Sequence, residues 1–392
     1  PAQHGRNGGA AMKLSGDWVT APATQAVCAA LTKAGHQALF VGGCVRNALL
    51  GVSVGDIDIA TDALPQAVMQ LATDAGLKPV PTGIDHGTVT VVSEGKPHEV
   101  TTFREDVDTF GRHAQVAFGT DLHADARRRD FTMNALYARP DGTVIDPLGG
   151  IDDLIARRVR FIGDGATRIK EDYLRILRFF RFHACYGDAG AGLDPNALAA
   201  CAAHLDGLAG LSRERVGAEM RKLLAAPDPA PVVAAMQRAG VLSAILPGAD
   251  ARPLAPLIHL ESETNTAPSA LRRLAALGGE DTPGRLRLSR AEARRLTLLR
   301  DGASSTMPPA ELGYRYGATD GMDMLLLRAA LLDTPLDPIA LDILERGANA
   351  KFPVKPADLM PDYTGPALGQ KLQELEDRWI ASGFTLRREE LL

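Results

Sequence analysis

The sequence predicts an α+β protein, in which an α/β head precedes a long all-α part. Strand signals, short apolar runs next to glycine-rich turns, fall within the first 150 residues. Beyond about residue 150, apolar residues recur at helical spacing instead. The chain has 392 residues, of which 45% are hydrophobic, so two or three domains with sizeable cores are expected.

Within the head, helices and strands are predicted to alternate without a regular βαβ repeat. Ala38–Val41 is a short apolar run that enters the Gly42-Gly43 turn, which is typical of a buried strand. Ser93–Lys96 separates two further runs and indicates an antiparallel hairpin. The remaining predicted elements are the helices Ala23–Ala34, Val45–Leu50 and Pro65–Ala75 and the strands Ile57–Ala60, Thr88–Val92, His98–Phe103 and Val144–Asp146.

The all-α part is predicted to contain three especially clear helices, namely Glu171–Tyr186, Arg213–Leu224 and Pro366–Ile380. The proline-rich segment 226–231 indicates a boundary. We therefore expect a head at 12–150, a neck at 151–225, and a body and tail at 226–392. Residues 1–11 are expected to be an expression remnant or a loose leader, with Met12 as the natural start.

Composition excludes several classes of protein. No run of about 18 apolar residues occurs, so no membrane span is expected. The four cysteines lie far apart without a C-x-x-C pair, which favours a reducing cytoplasm over a disulfide scaffold or zinc ribbon. The net charge of −5 means that any nucleic acid must bind a local basic surface. Nothing indicates an obligate protein partner.

Asp56-Ile-Asp58 is the first candidate site. On a strand, residues i and i+2 face the same side, so both carboxylates would lie together while Ile57 and Ile59 enter a core. Paired carboxylates repel one another unless a cation lies between them, and their oxygens suit Mg²⁺. A strand end with two solvated acids would show the same pattern.

Gly42-Gly43 begins about 13 residues before this acid pair. Glycines between a strand and a helix let backbone N–H groups approach a triphosphate, and Arg46 in that helix could neutralise a phosphate. A plain tight turn would also use two glycines. The combination of turn and acid pair is more specific than either part.

Arginines near apolar residues form the next signal. Arg127–Arg129 runs directly into the apolar stretch that begins at Phe131, so part of this cationic run must face an anion. Apolar residues cover most of the predicted helix Glu171–Phe182, yet a polar residue recurs at every third position. This stripe consists of Asp172, Arg175, Arg178 and Arg181. An ion pair between Asp172 and Arg175 would leave two arginines unpaired, which favours a ligand cleft.

The stripe also suggests a ligand. Cytosine and adenine both present an amine donor beside a ring-nitrogen acceptor, whereas uracil and guanine reverse that order. The aspartate of the stripe accepting from the amine, with one of its arginines donating to the ring nitrogen, would select C and A. Each buried mismatch would cost roughly 1–3 kcal/mol. Such a protein would need no nucleic-acid template.

With these residues assembled, the chain closely resembles the bacterial tRNA nucleotidyltransferase and poly(A) polymerase family. The matching stretches occur in the expected order and cover residues 39 to about 182. They are Leu39–Gly51, Asp56–Thr61, His98–Arg104, Arg128–Leu136, Ile145–Gly150 and Glu171–Phe182. The resemblance implies a polymerase-β-like nucleotidyltransferase head, followed by helical neck, body and tail segments that bind tRNA.

The resemblance also implies roles for individual residues. Asp56 and Asp58 would be the Mg²⁺ ligands of a two-metal phosphoryl transfer, with Glu99 as a candidate third carboxylate. Gly43 and Arg46 would bind the incoming nucleotide.

The remaining implied nucleotide contacts come from arginines and one acid. Arg129, or Arg128 beside it, would contact phosphate or ribose. Asp172 and Arg175 would contact the base edge, supported by Arg178 and Arg181.

Two features distinguish the chain within this family. Asn47 stands where the family usually has Asp, and no His-Asp hydrolase signature occurs in the C-terminal half. The segment Thr102–Arg112 resembles the flexible loop of CCA-adding enzymes.

The leading hypothesis is therefore addition of C, C and A to tRNA from CTP and ATP. Poly(A) synthesis and partial CC or A addition are the alternatives within the family. A non-catalytic RNA-binding relative is the alternative from another class, and the paired aspartates argue against it. A structural helical scaffold would leave the arginine stripe unexplained.

Overall fold

A computed structural model describes residues 12–106 and 116–392 of the chain. The expected leader at 1–11 lies outside the described residues, as do residues 107–112 of the expected flexible loop. The chain forms two compact units, which divide between Leu208 and Ala209. The expected boundaries at 150 and 225 do not coincide with this division and remain predictions about function.

All strands of the described residues lie in the first unit, which confirms the α+β class. They are β1 Leu39–Val41, β2 Asp58–Thr61, β3 Lys78–Gly83, β4 Thr88–Ser93, β5 Lys96–Thr102, β6 Arg104–Asp106, β7 Val116–Phe118, β8 Tyr137–Ala138 and β9 Val144–Ile145. Seven of them form a mixed sheet in the order β3-β4-β5-β2-β1-β8-β9, and β6 pairs with β7.

One pair of neighbours in this sheet is parallel. The strands β2 and β5 pair with Asp58 opposite Glu99 and Thr61 opposite Thr102, whereas β1 runs antiparallel to both β2 and β8. Paired residues of adjacent strands project from the same face of a sheet. The register therefore places the side chains of Asp58 and Glu99 side by side.

The helices of the first unit pack around this sheet and continue beyond it. They are α1 Asp17–Thr20, α2 Pro22–Thr32, α3 Gly43–Leu49, α4 Pro65–Asp74, α5 Leu122–Arg127, α6 Gly150–Ile155, α7 Gly165–Glu171, α8 Leu174–Tyr186 and α9 Pro195–Ala202. Short 3₁₀ helices lie at Ile84–His86, Thr132–Asn134 and Leu205–Gly210.

The helix α8 is shorter than predicted. The expected helix Glu171–Tyr186 is interrupted at Asp172, whose backbone is extended with φ −154° and ψ 104°. The Asp172 carboxylate accepts a hydrogen bond from the backbone N–H of Leu174 at 3.1 Å. Aspartate side chains compete in this way for backbone donors, so the chain leaves α7 and starts a new helix.

The second unit consists of helices joined by loops, apart from one isolated bridge between Ala249 and Gly278. It contains α10 Arg213–Leu224, α11 Ala230–Arg238, α12 Val241–Ile245, α13 Leu254–Glu263, α14 Ala270–Leu277, α15 Thr282–Arg285, α16 Arg290–Ser304, α17 Pro309–Leu332, α18 Pro338–Asn349, α19 Gly365–Ala381 and α20 Arg388–Leu391. A 3₁₀ helix spans Pro356–Leu359, and α17 is kinked at Gly317. The predicted helix Arg213–Leu224 is confirmed to the residue.

Apolar faces explain why these elements pack. The inward residues of α8 are almost fully buried, as its apolar circumference predicts. They are Leu174, Ile176, Leu177, Phe179, Phe180 and Phe182. Phe131, which follows the arginine run, is completely buried and packs against Phe161 and Phe182. No helix of the described chain is both long and apolar enough to cross a membrane.

Candidate active site

Asp58 is the first residue of β2 and lies at the centre of the candidate site. Its side chain is half-buried, whereas Glu99 opposite it on β5 is exposed. The expectation that Glu99 lies on a strand next to the acid pair is thus consistent with the sheet register. Its role as a third carboxylate remains a prediction.

Asp56 does not lie on this strand, contrary to the predicted alternation. The backbone ladder reaches only to the carbonyl of Ile57, which accepts from the N–H of Glu99 at 3.1 Å. Asp56 precedes it in a bend and is exposed, and Ile57 is half-buried rather than in a core. The two aspartates are therefore close in sequence, but strand geometry does not fix both side chains on one face.

Several charges converge on Asp58. Burial, helped by the nearby acids Glu99 and Asp56, raises the pKa of its carboxyl to about 6, although Arg129 and Arg46 oppose the shift. A carboxylate surrounded by other acids in a partly desolvated position is stabilised by a cation. The start of β2 at Asp58 is thus suited to hold a positively charged ligand.

The acids fit a metal that shares its coordination with a substrate. Among the described residues, no group of three or more His, Cys, Asp and Glu side chains is assembled to hold a metal ion. Mg²⁺ is commonly held by one or two carboxylates together with substrate phosphates and waters. Asp58 and Asp56 match that donor set, whereas a cage made only of protein ligands is not present in this part of the chain.

The Gly42-Gly43 turn joins β1 to α3, as predicted. Gly42 has φ 70° and ψ −117°, a backbone conformation that side chains disfavour. A Cβ atom added at Gly42 would lie 3.4 Å from the Arg129 guanidinium, and one added at Gly43 would lie 3.8 Å from that of Arg46. The turn is therefore bordered by two arginines that the sequence had singled out separately.

Arg129 is held in place by a carboxylate and a phenol. Its guanidinium pairs with Asp125 at 3.0 Å and donates to the Tyr137 hydroxyl at 3.1 Å. The Tyr137 hydroxyl itself donates to Asp125 at 2.7 Å. Arg129 keeps the pKa of Asp125 below its usual range despite burial, so the acid is ionised. This arrangement fixes Arg129 next to Gly42.

Arg46 is buried but has a different set of partners. Its guanidinium donates to the side-chain oxygens of Asn47 and Asn134 and, at 2.9 Å, to the hydroxyl of Tyr186. It also lies 4.0 Å from the centroid of the Tyr186 ring. The Asn47 side chain is thus a neutral acceptor for this arginine.

The expected unpaired arginines on α8 do have partners, which corrects the sequence interpretation. Arg175 pairs with Glu171 rather than Asp172, and it also donates to the backbone carbonyls of Arg168 at 2.7 Å and Arg128 at 3.1 Å. Arg178 pairs with Asp130, with its two nitrogens 2.6 and 2.5 Å from one carboxylate oxygen. Helical spacing alone does not show partners that lie before the helix or 48 residues away.

Asp172 and Arg181 lie at opposite ends of the expected stripe. Asp172 precedes α8 instead of standing on it, so the regular three-residue spacing does not include it. Arg181 is half-buried, with its guanidinium 4.6 Å from the centroid of the Phe182 ring. The roles of these residues in nucleotide binding remain predictions.

Several of the partners in this network were not recognised from the sequence. Asp125 lies on α5, four residues before Arg129, which follows the end of that helix; this spacing could have predicted their ion pair. Tyr137, Asn134 and Tyr186 had no comparable signal, because their contacts depend on how separate elements pack.

Comparison with known families assigns the fold and site to a class. Residues 38–160 match the model of the poly A polymerase head domain, and residues 192–252 match that of the probable RNA and SrmB-binding site of polymerase A. The first match contains the glycine turn, both aspartates and Arg129. The fold and site therefore define a nucleotidyltransferase with a polymerase-type head.

Individual relatives narrow this class. The human mitochondrial CCA tRNA nucleotidyltransferase 1 is 32% identical over 382 residues, which cover 92% of this chain and 86% of the relative. The CCA-adding enzyme of Geobacillus thermodenitrificans is 43% identical over 220 residues, or 56% of this chain and 52% of the relative. The crystal structure of the Bacillus stearothermophilus CCA-adding enzyme in complex with CTP has a TM-score of 0.73 at 29% identity, covering 92% of this chain and 93% of that one. The chain belongs to the CCA tRNA nucleotidyltransferase family.

Proposed function

We propose that this protein adds C, C and A to the 3′ end of tRNA, using CTP and ATP and releasing pyrophosphate. The observation that carries the proposal is that Asp58, Glu99 beside it on β5, Arg129 and the Gly42-Gly43 turn lie close together where β1 ends and β2 begins. This place in the head offers carboxylates for a cation, and it offers backbone N–H groups and arginines for a triphosphate. Nucleotidyl transfer needs both kinds of group together. The relatives named as CCA-adding enzymes support this choice of product.

In this proposal, each of these head residues has a separate role in nucleotidyl transfer. Gly43 and the N-terminus of α3 receive the triphosphate, because glycine lets the backbone approach it closely. Arg46 and Arg129 stabilise negative charge on the triphosphate and the leaving pyrophosphate. Asp58, with Asp56, would hold the divalent cation that nucleotidyl transfer uses to bring the 3′-hydroxyl and the α-phosphate together.

The cation in this proposal is Mg²⁺. When bound, it would polarise the phosphate oxygens and lower the pKa of the attacking 3′-hydroxyl. Asp56 and Asp58 are the proposed ligands, with Glu99 as the third carboxylate. The raised pKa of Asp58, caused first by burial and then by Glu99, supports this assignment, because a bound cation would stabilise the ionised carboxylate at this position.

Base selection is assigned to the start of α8. Asp172 and Arg175 remain the proposed contacts for the base edge, with Arg178 and Arg181 supporting them. The contacts of Arg175 with Glu171 and two backbone carbonyls support this role, because a guanidinium held at a fixed position discriminates better between donor and acceptor patterns.

The second unit is proposed to bind tRNA. The segments 213–224 and 282–300 together contain ten arginine or lysine residues and three acids, although the whole chain has a net charge of −5. The exposed cations among them are Arg213, Arg215, Lys222, Arg287, Arg290 and Arg294, which we call the basic face. Contacts of α10 with α15 and with Arg287 bring the two segments together. Such a concentration of positive charge suits a phosphate backbone.

A reducing compartment such as the cytoplasm is proposed as well. Cys28, Cys44 and Cys201 are buried and form no disulfide, and burial raises the pKa of the Cys28 and Cys201 thiols to about 12. Thiols of this kind persist where disulfides are kept reduced.

ATP alone separates the proposed activity from poly(A) synthesis. A tRNA that already ends in CC should gain one A and then stop, and a tRNA that lacks all three nucleotides should gain little. Product lengths on a sequencing gel measure both. A long A tail on either substrate would establish a poly(A) polymerase instead.

A further inference from the structure

A continuous run of hydrogen bonds connects α8 to the glycine turn within the first unit. Arg178 pairs with one oxygen of Asp130, and the other oxygen accepts from the Asn134 amide at 3.0 Å. The Asn134 oxygen in turn accepts from the guanidinium of Arg46. We call these four residues, Arg178, Asp130, Asn134 and Arg46, the relay.

Tyr186 holds the far side of the same guanidinium. Its hydroxyl accepts from Arg46 at 2.9 Å, and its ring lies beneath the guanidinium at 4.0 Å. Tyr186 and Arg178 are eight residues apart on α8, about two helical turns. One rigid helix therefore fixes Arg46 at two points, directly through Tyr186 and indirectly through the relay.

Stability alone explains this arrangement poorly. Arg46 is only 6% exposed, yet its hydrogen-bond acceptors Asn47, Asn134 and Tyr186 are all neutral. Burial lowers the pKa of Arg46, Arg178 and Arg181 act in the same direction, and Tyr186 and Asp130 oppose them. A buried cation that contacts no carboxylate among the described residues is unfavourable for folding, and an apolar residue of similar size would be more stable there. Such a charge is useful where an anion will arrive.

We propose that Asp130, Asn134 and Tyr186 are positioning residues for the incoming nucleotide, which act by holding Arg46 against the Gly42-Gly43 turn. The inference rests on the proposed function, in which this turn receives the triphosphate. Because α8 also carries the proposed base contact Arg175, the same helix sets the distance between the base and the triphosphate. A nucleotide is then bound well only when both of its ends fit.

Nucleotide titrations of conservative variants test the inference. Y186F keeps the ring and loses the hydroxyl, N134A removes the bridging amide, and D130N removes the charge that anchors the relay. Each should raise the KM of both CTP and ATP about 5- to 20-fold with kcat within about twofold, while the KM for tRNA stays constant. A positioning role through Arg46 further requires that D130N causes no additional rise in KM when R46A is already present.

D153N is the matched control. Asp153 is 2% exposed, lies in the same unit, and accepts from Arg160 at 2.8 Å and Thr132 at 2.6 Å, but it does not belong to the relay. D153N should lower the melting temperature without changing either nucleotide KM. An equal rise in KM for D153N would show that the effect is only loss of stability, which would overturn the inference.

Other outcomes separate this inference from the proposed function. If R46A raises the nucleotide KM but Y186F, N134A and D130N do not, the inference fails and the proposed function stands. If R46A leaves the KM unchanged, the assignment of Arg46 to the triphosphate fails, and the inference fails with it. Should D130N or N134A not fold, Y186F decides, because it removes a single oxygen; calorimetric binding of inorganic triphosphate to Y186F should then be weakened by a similar factor.

Discussion

Asp58 acquires its chemical character from its neighbours in the sheet. The parallel register with β5 places Glu99 beside it, and burial together with this acid raises the pKa of Asp58 to about 6. Asp62, four residues further on, is also an acid but pairs with His36 at 3.1 Å. Two aspartates at the two ends of β2 thus have different surroundings, and only Asp58 lies next to the glycine turn and its arginines.

Replacement of Asp58 tests the metal assignment directly. D58N should reduce nucleotide incorporation at least about 1,000-fold, because the carboxylate charge that holds the cation is lost while the side-chain volume is kept. Incorporation of labelled CTP and tRNA binding by filter retention measure the two effects. D62N is the control and should retain activity; undiminished incorporation by D58N would contradict the assignment.

The ion pair of Asp130 with Arg178 leads us to predict how the stability of the fold changes in acid. Arg178 and Asn134 hold its pKa below the usual range despite burial, so its ionised form stabilises the folded chain above the unfolded pKa of about 4. This stabilisation is lost as the pH falls below 4. D130N should lower the free energy of unfolding by about 3 kcal/mol at pH 7, as for a broken buried ion pair. It should also reduce the loss of stability between pH 7 and pH 3. Urea unfolding at pH 7 and pH 3 measures both quantities. If D130N loses as much stability between these pH values as the unaltered chain, the ion pair is contradicted.

At the scale of elements, the periodicity of apolar residues predicted which helices are buried. It did not predict features that depend on a single side chain. The apolar positions of α8 predicted its burial, and the pattern of α10 predicted its ends. The break at Asp172 was missed because one carboxylate bonding to a backbone N–H outweighs a strong helical pattern. The ion pair of Arg178 with Asp130 was missed because the partner lies on a separate segment.

The packing of α8 can be tested by truncation. Phe180 is 0% exposed, so F180A should lower the free energy of unfolding by about 3–5 kcal/mol through loss of burial and formation of a cavity. Denaturant unfolding measures the change. The control I155A alters a residue that is 71% exposed and should change stability by less than about 0.5 kcal/mol. Equal effects of both variants would mean that α8 is not a core helix.

For the whole molecule, the sequence was sufficient to predict the fold class but not the contacts between elements. The order of motifs predicted the α+β head and the helical remainder, and the relatives confirm the family. The two units divide between Leu208 and Ala209, and the expected boundaries at 150 and 225 remain predictions. Boundaries depend on which helices contact one another, and spacing in a single chain carries little of that information.

The basic face gives a prediction at this scale. R290E with R294E should weaken tRNA binding at least about tenfold at 100 mM salt and reduce the salt dependence, because fewer counterions are released. The KM for CTP should not change. The control R252E alters an exposed arginine of the same unit that pairs with Asp250 at 2.7 Å, outside the basic face. An equal loss of tRNA affinity in R252E would indicate a general charge effect.

The central claim is that this chain selects C and A without a template and stops after three additions. Its most direct test is to incubate tRNA that lacks its last three nucleotides with all four nucleoside triphosphates and Mg²⁺, and then to sequence the 3′ ends. We expect most products to end in CCA, with no U or G and no longer tail. Products that end in oligo(A), or that contain all four nucleotides, would contradict the account.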